Sequence, residues 1–139
     1  MTTIERLRQS AVPFEVVGLA GFFVASVLIL AGGSFPPSLD ATLPHTARLA
    51  WAAASAVGSG CALGGLFWRG AARDALTMEA VGTAVAGGAC LLYASAIIVV
   101  QGASGIMPAG TIGAFGIACG WRALTLLALL RRAAIVSRP

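Results

Sequence analysis

Between Glu79 and Arg122 the chain carries no charged side chain, and Gly102-Ala103-Ser104-Gly105 with Pro108 is the only punctuation in that run. A helix needs ~20 apolar residues to cross the hydrocarbon of a bilayer. The run therefore holds two crossings joined by a tight reversal, for which glycine and proline supply the turn chemistry. The rest of the chain agrees: 58% of residues are hydrophobic and 10% are charged, against roughly 25% charged in a soluble domain. Mean hydropathy is +0.92. A domain this small buries only about two-thirds of the surface its unfolded chain exposes, so water alone is the wrong solvent for it.

The fold class expected is all-α: a polytopic membrane protein with four transmembrane helices arranged as two tandem helical hairpins. The chain is read as one membrane domain, 1-139, with spans near 13-34, 48-68, 79-101 and 109-130. At about 20 residues per crossing, that leaves no room for a further domain. A cleaved signal peptide competes for the first span, because Ala31-Gly32-Gly33 offers small residues, but the apolar run exceeds the usual ~7–15 residue core of such peptides. Phe35-Pro36-Pro37-Ser38-Leu39-Asp40 and Pro44 break the first helix and are expected to form a loop.

Orientation follows from arginine, the only basic residue type besides the single histidine. Arg6, Arg8, Arg69, Arg73, Arg131, Arg132 and Arg138 flank the spans on one side, whereas only Arg48 lies in the first loop and the third connection has no charge. Cytoplasmic flanks retain Lys and Arg, so both termini are expected in the cytoplasm and the location is a bacterial inner membrane. Trp51 and Trp68 fall at the two ends of the second span, and Phe14 and Phe35 bracket the first. Such rings suit the headgroup level. Trp121 and Tyr93 sit deeper, where packing between helices is expected. Thr2 to Val12 has the makings of a short interfacial turn.

Phe14-Glu15-Val16-Val17-Gly18 and Met78-Glu79-Ala80-Val81-Gly82 share an apolar-Glu-x-Val-Gly pattern at the starts of the first and third helices. Either a duplicated hairpin, with units related about the membrane normal, or the narrow composition accounts for the likeness.

Arg122 is the residue that most needs a reason, because a charge in hydrocarbon costs a few kcal/mol. Gly110, Ala114 and Ala118 precede it at helical spacing, a stripe where a neighbouring helix can approach, so Arg122 is expected to point inward toward Glu15 and Glu79. One reading makes the three a polar cluster that gates a pathway or couples proton movement. The other is structural: glutamates in a first helical turn favour the macrodipole, and arginine can snorkel or pair. Ala52, Ala56, Gly60 and Gly64 form a packing face on the second helix, with Gly116 and Gly120 on the fourth and Ala84 and Gly88 on the third. These faces serve packing within one chain or, alternatively, a homo-oligomer.

Cys61, Cys90 and Cys119 lie in different spans without metal-ligand spacing, and His45 is the lone histidine. No cofactor or metal is implied, no nucleotide-binding or hydrolase motif is present, and an enzyme is not expected. The arginines are scattered without interleaved aromatics, so nucleic acid is not an expected partner; the lipid bilayer is. Lysine and asparagine, both with AT-rich codons, are absent, which fits a GC-rich genome such as an actinobacterium or its phage.

Phe35-Pro36-Pro37-Ser38, Trp51, Glu79 with Gly82, and Trp121-Arg122 together resemble the small four-helix membrane proteins of tailed actinobacterial phages. The likeness covers most of the chain and implies a phage-encoded protein of the host inner membrane. The function expected is that of a non-enzymatic accessory protein, holin-like or otherwise modifying the host envelope. Glu15-Val16-Val17-Gly18 is separately similar to the membrane glutamate of small multidrug-resistance exporters, which implies a transporter or channel subunit. Here, however, the glutamate lies at the boundary, and the third and fourth helices lack that family's aromatic and glycine patterns. A structural subunit of a larger membrane complex is the remaining alternative.

Overall fold

The structure, a computed structural model, describes residues 13–136, with side chains for residues 15–132. The expected turn at Thr2 to Val12, the flanking Arg6, Arg8 and Arg138, and the Phe14 ring lie outside the described residues and side chains. All regular structure among the described residues is helical: α1 (Pro13–Leu30), α2 (Pro37–Thr42), α3 (His45–Phe67), α4 (Ala72–Gln101), a 3₁₀ turn (Gly102–Gly105) and α5 (Ile106–Val136). His45–Phe67 and the 61-residue stretch Ala72–Arg132 are long and apolar enough to cross a membrane, and Glu15–Leu30 is a shorter apolar helix.

Each helix ends for a local chemical reason. At the end of α1, Gly32 takes a positive φ of 109°. The Gly33 amide then donates to Leu28 O at 3.0 Å and the Gly32 amide to Ile29 O at 3.2 Å, the paired bonds of a glycine-closed helix terminus. The small residues that offer a cleavage site in sequence thus serve as a helix cap.

The proline-rich loop is not all loop. Pro37 occupies the first position of α2, where its missing N–H is no loss and its fixed φ suits the helix. Leu39 and Ser38 are buried by this short helix. Helix α4 starts at Ala72, ahead of the expected 79, because Arg73, Asp74 and Thr77 continue the helix beyond its apolar part. The reversal in the long uncharged run falls at Gly102, whose φ of 57° and ψ of −132° suit a residue without Cβ. Pro108 is accommodated in the first turn of α5, where amides lack intrahelical partners anyway.

The long helices pack antiparallel in chain order. Buried α3 residues Trp51, Ser55, Gly58, Ala62 and Gly65 face buried α4 residues Ala75, Glu79, Gly82, Ala86 and Ala89. The spacing alternates four and three residues, the period of a left-handed supercoiled seam. Backbones nearly touch there: a Cβ on Gly65 would lie 2.6 Å from Glu79 N, and one on Gly82 would lie 2.7 Å from Gly58 O. Trp51 donates Nε1–H to Ala89 O at 2.9 Å and packs its ring on Tyr93 and Phe22. It is 6% exposed, so it is a core residue and not the headgroup anchor its position suggests.

A second seam joins α4 to α5. Cys90, Ala94 and Ile97 of α4 are buried, as are Ala109, Cys119, Ala123 and Leu126 of α5. A Cβ on Gly87 would lie 2.8 Å from Gly116 O and 3.3 Å from Gly120 N. Helix α4 is therefore buried on two faces, and α3 and α5 flank it. Helix α1 packs on α3, with the Phe23 ring over Gly60, and also meets α5 through side chains.

Of the expected packing residues of α3, Ala52 and Ala56 are buried, Gly60 packs on Phe23 of α1 and Gly64 on the Met78 methyl of α4. Ala84, Gly88 and Gly110 are exposed, Ala114 and Ala118 are exposed along a groove beside α1, and Trp121, expected to pack between helices, is 75% exposed. The four-residue stripe drifts around a helix, whereas a supercoiled seam follows the alternating four-and-three period.

Candidate functional site

All four long helices place one end together. Arg69, Arg73, Arg131 and Arg132 are exposed there, and this is called the basic end. The proline end carries α2, Arg48 and the 3₁₀ turn. At the proline end Leu39, fully buried, joins Trp51, Ala52, Ala89 and Ala96 in one apolar cluster, with Phe22, Ile29, Phe35, Leu43 and Tyr93 packed around it. Arg48 forms an ion pair with Asp40 and lies 5.4 Å from the centroid of the Phe35 ring.

Toward the basic end the structure brings Glu15, Glu79 and Arg122 together, one each from α1, α4 and α5. Arg122 donates from Nε to Glu79 Oε1 at 2.9 Å, and its Nη2 reaches the same oxygen at 2.8 Å. Glu15 Oε1 is 3.9 Å from Arg122 Nε. The Glu79 side chain is 4% exposed, whereas those of Glu15 and Arg122 are 18% and 17% exposed.

Local structure explains the difference between the two carboxylates. Glu15 stands in the first turn of α1, where the helix dipole favours an anion. Glu79 does not open α4, as its place in the sequence pattern suggests: Asp74 holds that first turn, and Glu79 lies about two turns further in. The dipole argument therefore fails for Glu79. Its burial follows from Gly65, whose missing side chain lets the backbone of α3 press against the Glu79 amide.

Helices α1 and α5 meet through side chains near this cluster. The Phe115 ring lies against Gly18, where a Cβ would be 2.6 Å from it. An apolar groove of about 600 Å³ lies between the two helices, with Gly18 and Phe115 in its lining. Gly21 and Ala25 of α1 form one wall, Ala114 and Ala118 of α5 the other, and Cys90 and Tyr93 of α4 the floor. The sequence marks Ala114 and Ala118 as small but not as the wall of an opening, because an unfilled gap leaves no periodic signal.

Of the remaining candidates Cys90 borders the groove, whereas Cys61 and His45 are not among its lining residues. Cys90 and Cys119 are buried where α4 and α5 meet, and Cys61 is half-buried in α3. His45 begins α3, with its ring edge-on to Phe35 at 6.2 Å between centroids. Comparison with protein-family models, curated proteins and solved structures gave no match.

Proposed function

We propose that this chain is a non-enzymatic integral protein of the bacterial cytoplasmic membrane, crossing it four times as two helical hairpins with both termini inside. The observation that carries this reading is the sorting of charge. Asp40 and Arg48 lie at the proline end; Arg69, Arg73, Asp74, Arg131 and Arg132 lie at the basic end. Between the ends, the charged side chains among the described residues are Glu15, Glu79 and Arg122, which pair with one another. Large apolar side chains such as Val17, Val99, Met107 and Leu124 face outward, which in lipid is their preferred side and in water a liability. The arginine-rich end is the cytoplasmic one by the positive-inside rule.

Its role is that of an accessory envelope protein, holin-like in kind, of the sort the resemblance to actinophage proteins implies. Small wall residues on α1 and α5 allow a second copy to approach closely, which an oligomeric membrane lesion requires. Inducible expression in a bacterium carrying a membrane-potential dye tests the role. Abrupt depolarisation with growth arrest is the expected result, and growth with potential intact speaks against it.

A second reading, a transporter or channel subunit, is favoured by one specific feature: an open apolar groove between α1 and α5. A concave apolar opening of this size is a geometry for taking a small ligand. Under this reading expression is benign and confers substrate-dependent resistance or uptake.

A further inference from the structure

Cys90 of α4 and Cys119 of α5 are each 1% exposed, and both stand on the seam where the two helices come closest. A Cβ added at Gly87 would lie 3.1 Å from the Cys119 Cβ, and one added at Gly116 would lie 3.2 Å from the Cys90 Cβ. Each cysteine is thus one helical step beyond the glycine that the other cysteine touches, and residues at that step are neighbours on one face. Side chains lean toward the N-terminus of their own helix. In antiparallel helices that lean turns Cys90 back toward Gly87 and Cys119 back toward Gly116, so the two thiols approach across the space the glycines leave. They are close enough for a charge on one to act on the other.

The pair is small, dry and reachable. Cys90 is in the lining of the groove between α1 and α5, which brings a small lipid-soluble species to the edge of the seam. Thiolates select soft metal ions. Zinc needs four ligands, and among the described residues no group of three or more His, Cys, Asp or Glu is placed to hold a metal. A soft monovalent ion on two thiolates leaves a net negative charge among apolar side chains, which is costly. A soft divalent ion leaves none. Mercury(II) is both soft and divalent, and two sulfurs in a line satisfy it.

We infer that Cys90 and Cys119 together form a two-coordinate site for mercury(II), taken up as its neutral dichloride. Two Hg–Cl bonds are exchanged for two Hg–S bonds, both thiol protons leave with the two chlorides, and nothing is oxidised or reduced. The neutral product ties α4 to α5 within the seam. The site goes beyond both readings of the chain's role and does not depend on which of them holds.

The full native chain in phosphatidylcholine nanodiscs is given one equivalent of mercuric chloride and washed with the monothiol 2-mercaptoethanol. Bound mercury is then measured, and the thiols left free are alkylated with a maleimide and mapped by mass spectrometry. One mercury per chain is expected, with Cys90 and Cys119 protected and Cys61 alkylated. Cys90→Ala and Cys119→Ala are each expected to weaken retention against the monothiol by about 10²-fold or more, because the second sulfur no longer acts at high effective concentration. Cys61→Ala should retain the metal as the native chain does.

Mercury spread over all three thiols, complete loss to the monothiol, or unchanged retention in a folded Cys90→Ala or Cys119→Ala overturns the site. Should those variants fail to fold, the native chain decides by itself: two protected thiols per mercury support the site, and one per mercury contradicts it.

Discussion

Arg122 directs two nitrogens at one oxygen of Glu79, at 2.9 and 2.8 Å, from a position 43 residues away in sequence. This contact ties α5 to the central helix α4 and pairs a carboxylate that is 4% exposed with a guanidinium that is 17% exposed. Removing one partner of a buried pair costs ~3–5 kcal/mol, because the other charge is left uncompensated. Arg122→Leu is therefore expected to lower folded yield and unfolding temperature in detergent. Replacing both partners, as Glu79→Gln with Arg122→Leu, should recover much of the loss. In a double-mutant cycle Arg122 should couple more strongly to Glu79 than to Glu15, whose carboxylate stands at 3.9 Å. Equal coupling to both would contradict the geometry.

The glycines divide sharply by what stands in front of them. Gly82 faces Gly58 O and the Ala62 backbone across the α3–α4 seam, whereas Gly88 and Gly110 have nothing within 4 Å of a Cβ. Gly82→Ile should force α3 away from α4 and abolish a monodisperse elution peak. Gly88→Ala and Gly110→Ala should leave it unchanged and stabilise by up to about 1 kcal/mol through helix propensity. The comparison reads packing directly, since all three are helical glycines.

Trp51 and Trp121 are expected to behave as opposites. Trp51→Phe keeps an aromatic ring against Tyr93 and Phe22 but loses the bond to Ala89 O, at a cost of ~0.5–1.5 kcal/mol. Trp121→Phe, at a position 75% exposed, should change stability little. Reversible unfolding in mixed micelles measures both.

Leu39 tests whether α2 is structural. It is fully buried against Trp51 and Ala52, and Leu39→Ala should cost ~2–5 kcal/mol, the range for truncating a buried leucine. Asp40→Ala, next to it but outward-facing, removes only the pairing with Arg48 and should cost at most ~1 kcal/mol.

These residues also show what the sequence makes legible and what it hides. Helix existence is plain, because runs of apolar residues between Pro37, Pro44, Gly70 and Gly102 leave few alternatives. Helix length is less so: hydropathy stops at Met78, while helix propensity carries α4 back to Ala72. Helix α2 escapes because Pro36-Pro37 reads as a break, although proline at a first helical position starts a helix as readily as it ends one.

The meeting of Glu15, Glu79 and Arg122 is readable, since the apolar runs around these residues offer few other opposite charges. The rank order within the cluster is not readable. It depends on Gly65 admitting Glu79 to the α3 seam, a relation between positions on different helices. Trp51 misleads for a related reason: its place near a helix end suggests a headgroup anchor, but α2 folds over it.

Thiol labelling tests the four-crossing arrangement most directly. In a background with Cys61, Cys90 and Cys119 replaced by alanine, single thiols are introduced by Ser34→Cys, Gly70→Cys and Ser104→Cys, all at exposed positions in the connections. A membrane-impermeant maleimide should label Ser34→Cys and Ser104→Cys in intact cells, and Gly70→Cys only after permeabilisation. Labelling of Gly70→Cys in intact cells, or Ser34→Cys and Ser104→Cys on opposite sides, would contradict it.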